Sequence, residues 1–356
     1  MSDSEVLRRQ PLQVGMILSA EGDRQRAIAV WLLICCAMLF AMVVVGGVTR
    51  LTHSGLSIVE WQPFIGAIPP LNDAEWQATF QKYQQTPEFK LRNFAMSVDD
   101  FKGIFWWEYF HRLLGRLIGV VFALPFIYFL IRGHARGRLA WKLAGIFLLG
   151  ALQGGMGWYM VKSGLVDEPR VSHLRLTAHL GLAFVIFAAQ WWVALDLLSP
   201  RSPRATPPML ARFSQAVCAL VFLMVLSGGL VAGLRAGFAY NTFPLMHGHV
   251  FPPDMFVIEP WYANFIGNIS TVQFDHRMIA WTLLILIPVL WWRTVKSTVT
   301  RRVQWAAHCL LGGLAVQFSL GVATLLLAVP ISLGAAHQAG ALVVFALALT
   351  LTHELS

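Results

Sequence analysis

Four histidines stand inside long apolar runs of this chain: His111, His179, His276 and His337. An imidazole in such a run is either a hydrogen-bonded packing residue or a ligand. These four come as two matched pairs. Phe110-His111-Arg112 answers to Asp275-His276-Arg277, and Ala178-His179 answers to Ala336-His337. Zinc or copper would want three or four converging nitrogen or sulfur donors. No thiolate or carboxylate set accompanies these pairs. Two imidazoles from neighbouring helices suit a porphyrin held between them. Gly115 and Gly119 follow His111, and Gly181 and Gly340 follow the other histidines closely. They make room for a ring or serve as small-residue packing positions between helices. His53, His134, His247, His249 and His353 fall in connections or at a span end and read as ordinary, and His173 and His308 have no repeat partner.

Two further residue types support a haem site. Arg50, Arg112, Arg235 and Arg277 fall near span ends, where a guanidinium either pairs bidentately with a propionate or snorkels to headgroups. Glu108 precedes His111 by three residues and so shares its helix face. A carboxyl group inside a span is costly and marks a functional position by default. Burial favours its neutral form and suits it to carrying protons. The matching position before His276 is Gln273, an amide that exchanges no proton. The two sites are expected to differ chemically. The alternative is a structural pairing of Glu108 with Arg112.

The elements that position these residues are membrane spans. The chain has 356 residues, 57% hydrophobic and 13% charged, where a soluble domain carries about 25% charged residues. Residues 27–49, 143–161, 176–195 and 213–234 contain no charge, and Val303–His353 is one uncharged stretch broken by Pro330. Crossing the hydrocarbon takes about 20 helical residues. The expected spans are 27–49, 105–131, 140–162, 174–196, 212–234, 271–292, 304–328 and 332–353. Arginines and lysines gather in the N-terminal tail and in the 2–3, 4–5 and 6–7 connections, which predicts that these face the cytoplasm, with both termini. The net charge of +9 therefore reads as membrane orientation, with no nucleic-acid partner. Cys35, Cys36, Cys218 and Cys309 all fall within spans, away from any loop where a disulfide would form.

The expected architecture is an all-α membrane protein of eight transmembrane helices, arranged as two repeated four-helix bundles. Residues 1–26 are a cytoplasmic tail, 27–196 the first half, 197–211 a cytoplasmic linker and 212–353 the second half. Spans 1 and 5 both end in a glycine pair and then an arginine, Gly46-Gly47 with Arg50 and Gly228-Gly229 with Arg235. Internal repeats are also common in transporters, so the repeat names no function. The residues alone support a dihaem membrane protein with one protonatable site. An electron carrier of the cytochrome b type and a repeat-built transporter compete with an enzyme.

The sequence resembles the haem A synthase family (Cox15/CtaA), in its proteobacterial and mitochondrial branch. The resemblance runs from about residue 27 and is carried by Gly46-Gly47-Val48-Thr49-Arg50-Leu51-Thr52, Ser54-Gly55-Leu56-Ser57, Glu108-Tyr109-Phe110-His111-Arg112, the two Ala-His motifs and Asp275-His276-Arg277. It implies oxidation of the C8 methyl of haem O to a formyl group, giving haem A for cytochrome oxidase. By the same resemblance His276 and His337 ligate a haem b cofactor. His111 and His179 ligate the substrate haem O, with Glu108 and His111 catalytic and Arg50, Arg112, Arg235 and Arg277 binding cofactor. Partners implied are haem O synthase, cytochrome oxidase assembly factors and an unidentified electron donor, in the bacterial inner membrane; self-association stays open. Gram-positive relatives carry a cysteine pair in an outer loop of each half, and this chain has none.

Overall fold

The computed structural model describes residues 3–61, 65–166, 168–199 and 207–356, with side chains from residue 21 onward except Ile65. Among these residues eight helices are long and apolar enough to cross a membrane, which makes this a multi-pass membrane protein. They are α1 (Asp3–Leu51), α2 (Val98–Ile131), α3 (Gly137–Lys162), α4 (His173–Leu198), α5 (Pro208–Leu234), α6 (Ile269–Lys296), α7 (Arg301–Leu326) and α8 (Ile331–Leu355). All eight expected spans are present, with two corrections at their ends. The expected tail 1–26 is helical from Asp3 and continuous with the first span. The second span begins at Val98, seven residues early, because Ser97 and Asp100 form a capping box. Its 34 residues rise about 50 Å, more than the roughly 30 Å of hydrocarbon. His111 is therefore fourteenth along its helix, where a start at 105 would have made it seventh. Arg201, Arg204 and the middle of the expected 197–211 linker lie outside the described residues.

Where water is absent, a helix must settle its own polar groups. Hydroxyls do so by bonding back one turn, as Thr49 to Val45 O, Thr177 to His173 O and Thr324 to Leu320 O. Pro125 lies inside α2 and offers no N–H to the carbonyl of Val121. Trp31 Nε1 of α1 donates to that carbonyl instead, at 2.8 Å. Helix starts are capped by Ser172 for α4, Asn268 for α6 and Thr300 for α7.

Helices α1, α4, α5 and α8 pack in a closed ring, with α2, α3, α6 and α7 on its outside. The central four bury 28–50% of their most apolar windows and the outer four only 11–22%, which leaves the outer helices facing lipid. Phe184 of α4 against Phe345 of α8, and Trp31 against Phe122 and Phe129, lie in one continuous core. Cys35, Cys36 and Cys218 are buried in it and Cys309 is exposed, all four as free thiols. The long connections are folded. Asp73–Gln84 and Pro87–Leu91 are helical and build a small aromatic core from Trp76, Phe80 and Tyr83 against Phe101, Phe105 and Tyr109 of α2.

Candidate functional site

Each of the four histidines stands against a glycine of a neighbouring helix. A Cβ at Gly46 of α1 would lie 3.0 Å from His111 Nε2, and one at Gly157 of α3 would lie 3.1 Å from His179 Cε1. In the second pair, Gly228 of α5 would meet His276 Cε1 at 3.3 Å and Gly321 of α7 would meet His337 Cε1 at 2.8 Å. His111 and His179 are electrostatic neighbours, as are His276 and His337. The structure thus brings the histidines together in the expected pairs. The glycines that make room are not the expected ones. Gly181 packs against Leu226 of α5 and Gly340 against Gln317, so both are packing positions. Gly115 faces Met42, and Gly119 has nothing near it. A ring needs space from the helix opposite, which residues on its own helix cannot give.

Other groups orient the rings. Gln153 Nε2 bonds the backbone carbonyl of His179 at 3.1 Å and sits 3.5 Å from its ring Nε2. Gln317 repeats this on His337, at 2.9 Å to the carbonyl and 3.1 Å to Nδ1. Ser227 Oγ donates to Met224 O at 2.9 Å and lies 2.8 Å from His276 Nδ1. With its one hydrogen committed, the hydroxyl accepts from Nδ1–H, which leaves Nε2 of His276 bare and ready to ligate.

The residues before the first histidine of each pair differ, as the sequence suggested. Glu108 is buried, and its carboxylate takes four hydrogen bonds: Ser57 Oγ at 2.7 Å, Ile58 N at 2.8 Å, and Arg112 Nε and Nη2 at 3.1 and 2.7 Å. Arg112 also donates to the carbonyls of Ile58 and Glu60. Glu108 and Arg112 therefore clasp the 57–60 segment over α2. In the second pair Gln273 Nε2 donates to Ala236 O, and Arg277 donates to Tyr240 O and Thr242 O. Here Gln273 Oε1 and Arg277 Nε, the two atoms that would match the carboxylate–guanidinium bond, are buried without partners.

Arg50 and Arg235 tie the ends of α1 and α5 at the long-loop face. Arg50 Nη1 donates to Ala232 O at 2.8 Å, and Arg235 Nη2 lies 2.9 Å from His53 Nδ1. Both bonds join positions 182 apart, the spacing that also relates Gly46 to Gly228. Arg235 therefore matches His53, not Arg50; both have φ of 57°. Burial and then Arg235, Arg92 and Arg50 hold the His53 imidazole below its usual range. Sequence reasoning missed Glu88 of the short helix Pro87–Leu91. It is 3% exposed, and Tyr83 OH donates to it at 3.3 Å. Burial pushes its carboxyl up to about 7, against the pull of Tyr83, Arg92 and Arg235 and with Glu108 adding to the rise. A lone Glu in a loop carried no signal of burial.

The glycine pairs also link the two histidine pairs. Beside Gly46, which faces His111, Gly47 would place a Cβ 2.9 Å from Gln338 Oε1, next to His337; Gln338 Nε2 donates to Val43 O at 2.8 Å. Beside Gly228, which faces His276, Gly229 abuts Thr177, 3.0 Å from its Oγ1 and two residues from His179.

Among the described residues no three His, Cys, Asp or Glu side chains gather as a metal site. The donor sets on offer are pairs of imidazoles between glycine-cleared helix faces. The buried Nδ1 of His179 has no protein partner, and a buried ring nitrogen calls for one. Such sets fit an iron porphyrin, which would ask the protein for no more than two imidazoles.

Residues 29–349 match the family model COX15-CtaA, described as cytochrome oxidase assembly protein. The Heme A synthase of Nitrosospira multiformis is 62% identical over 334 residues, covering 93% of this chain and 94% of its own. That of Nitrosomonas eutropha is 57% identical over 333 residues, 92% of this chain and 94% of its own. Heme A synthase COX15 of Arabidopsis thaliana is 44% identical over 352 residues, 96% of this chain and 77% of its own. This chain belongs to the COX15-CtaA family.

Proposed function

We propose that this chain is a haem A synthase of the bacterial inner membrane, an oxidoreductase that converts the C8 methyl of haem O to a formyl group. The product haem A goes to cytochrome oxidase, and haem O synthase makes the substrate. The reading takes the chain as two repeated four-helix halves, 27–196 and 212–353, with both termini cytoplasmic and the long loops outside. His111 and His179 hold the substrate through its iron. His276 and His337 hold haem b, which supplies one-electron transfer when bound. Arg50 and Arg235 are electrostatic neighbours, and two adjacent cations favour an anion such as a propionate between them. Arg112 and Arg277 are chiefly engaged with loop carbonyls and assist from there.

One observation carries the division of labour. The first half has a buried carboxylate one turn before its histidine, and the second has an amide in the same place. Converting a methyl to a formyl group takes two hydrogens and four electrons from carbon and adds one oxygen, so a group that exchanges protons must stand near the substrate. Glu108 does so on the face of His111, steadied by Ser57, Ile58 N and Arg112. Gln273 keeps the shape and lacks the proton.

The purified protein is expected to be red with a low-spin bis-histidine spectrum, and to yield a formyl or hydroxyethylfarnesyl porphyrin on extraction. Glu108→Gln should stay folded and haem-loaded while haem O or its alcohol accumulates. A pigment-free protein from haem-supplied cells, or an unchanged haem A yield with only the variant present, refutes the reading. Recovery of haem b alone favours the electron carrier.

A further inference from the structure

The long-loop ends of α3 and α4, the two helices that carry Gly157 and His179, border an open cavity of about 490 Å³ lined by Trp158, Tyr159, Lys162, Ser163, Val166 and Arg175. Its size is ordinary for a small-molecule site. It adjoins the ligand on both helices. Trp158 follows Gly157, which makes room for His179, and Arg175 stands one turn before His179 on the same face of α4.

Both cations in this cavity lie on aromatic rings. The Arg175 guanidinium is 3.7 Å from the Tyr159 ring centroid and donates to Tyr159 O at 2.8 Å. Lys162 Nζ is 5.3 Å from the Trp158 ring, and Trp61 of the long loop packs on Trp158 with centroids 6.0 Å apart. Stacking fixes the cations while leaving N–H donors for an acceptor. Trp158 and Tyr159 remain 43% and 46% exposed on the outer helix α3, so the cavity opens away from the central ring of helices.

The second half lacks all of this. Gln317 and Gly321 match Gln153 and Gly157 at one spacing, so the means of seating a histidine is kept. The positions that match Trp158, Tyr159, Lys162 and Arg175 are Val322, Ala323, Leu326 and Leu333. The cation–aromatic set is thus not needed to hold a ligand pair. A resident group needs no door, whereas a substrate must enter and its product leave.

We propose that this cavity is the mouth of the first-half site, through which a dianionic tetrapyrrole enters and departs. Its carboxylates engage Arg175 and Lys162, and its apolar edge slides over Trp158 and Tyr159. This rests on the proposed binding of substrate haem at His111 and His179.

The test follows absorbance while haem O in neutral, lipid-free detergent is mixed with protein already loaded with its resident haem. The double variant Lys162→Gln/Arg175→Gln should slow association about tenfold, the low end of electrostatic steering, and leave the resident spectrum unchanged. Haem O dimethyl ester should associate as slowly with the unaltered protein, and the double variant should not distinguish ester from acid. Arg175→Lys, which keeps the charge, should keep that discrimination. Equal rates for acid and ester, or for variant and unaltered protein, overturn the proposal. Equal rates with a loss only of binding to anionic-lipid nanodiscs would give the cations to headgroups and overturn it too. If haem O produces no low-spin change that His179→Ala removes, the ligand assignment has failed and the mouth falls with it.

Discussion

Two carboxyls are buried under the long-loop face, and their partners separate them. Glu108 receives four hydrogen bonds, two of them from a guanidinium. Glu88 receives one, from the Tyr83 hydroxyl at 3.3 Å, the setting of a group that folding prefers neutral. With its folded value raised from 4.5 to about 7, Glu88 contributes stability that is complete below pH 4.5. That contribution is lost as pH rises through about 7. Glu88→Gln should therefore match the unaltered protein in thermal midpoint near pH 4.5 and exceed it above pH 7, by up to about 3 kcal/mol. Parallel midpoint curves for the two proteins across pH 4.5–8 would refute this. His53 acts in the opposite sense and is intact in both proteins, so the difference between them isolates Glu88.

At the scale of elements, the spans were legible because charge is costly in the bilayer: four uncharged runs each became one span, and Val303–His353 became two, broken at Pro330. The histidine pairs were legible because an imidazole in such a run stands out. The glycines opposite them were not, since a residue on α1 or α7 carries no mark of which neighbour it faces. The start of α2 was obscured because Asp99, Asp100 and Lys102 look like loop, though the Ser97 cap makes them helix. The glycine pairs of α1 and α5 have a testable consequence. Gly47→Ala should press on Gln338 and break its bond to Val43 O, displacing α8 beside His337. The low-spin g-values of the second-half haem should then shift, although the substitution is in the first half. Adding Gln338→Ala removes the obstructing side chain and should return the signal toward that of Gln338→Ala alone. An electron paramagnetic resonance spectrum untouched by Gly47→Ala, or no relief in the double variant, would show that the pair only packs.

At the scale of the molecule, the central ring takes α1 and α4 from the first four spans and α5 and α8 from the last four, so neither set closes it alone. Arg50 to Ala232 and Arg235 to His53 close the long-loop face. Asp196 of α4 closes the opposite face, bonded to His353 of α8 and Lys142 of α3. Such a frame lets two like sites sit in one rigid body while their surroundings diverge. The first has Glu108, its clasped loop and the cation–aromatic cavity; the second has Gln273 and aliphatic residues. On the proposed division of labour, His276→Ala or His337→Ala should remove or loosen the resident haem b. His111→Ala or His179→Ala should keep it and abolish haem A formation. Each substitution also strands its partner imidazole in a low-dielectric setting, so haem content and type are compared at equal folded protein. Loss of haem b from the first-half variants with retention in the second-half ones would reverse the assignment. Loss of all haem from all four would mean that the shared frame couples the sites too tightly for either half to hold its group alone.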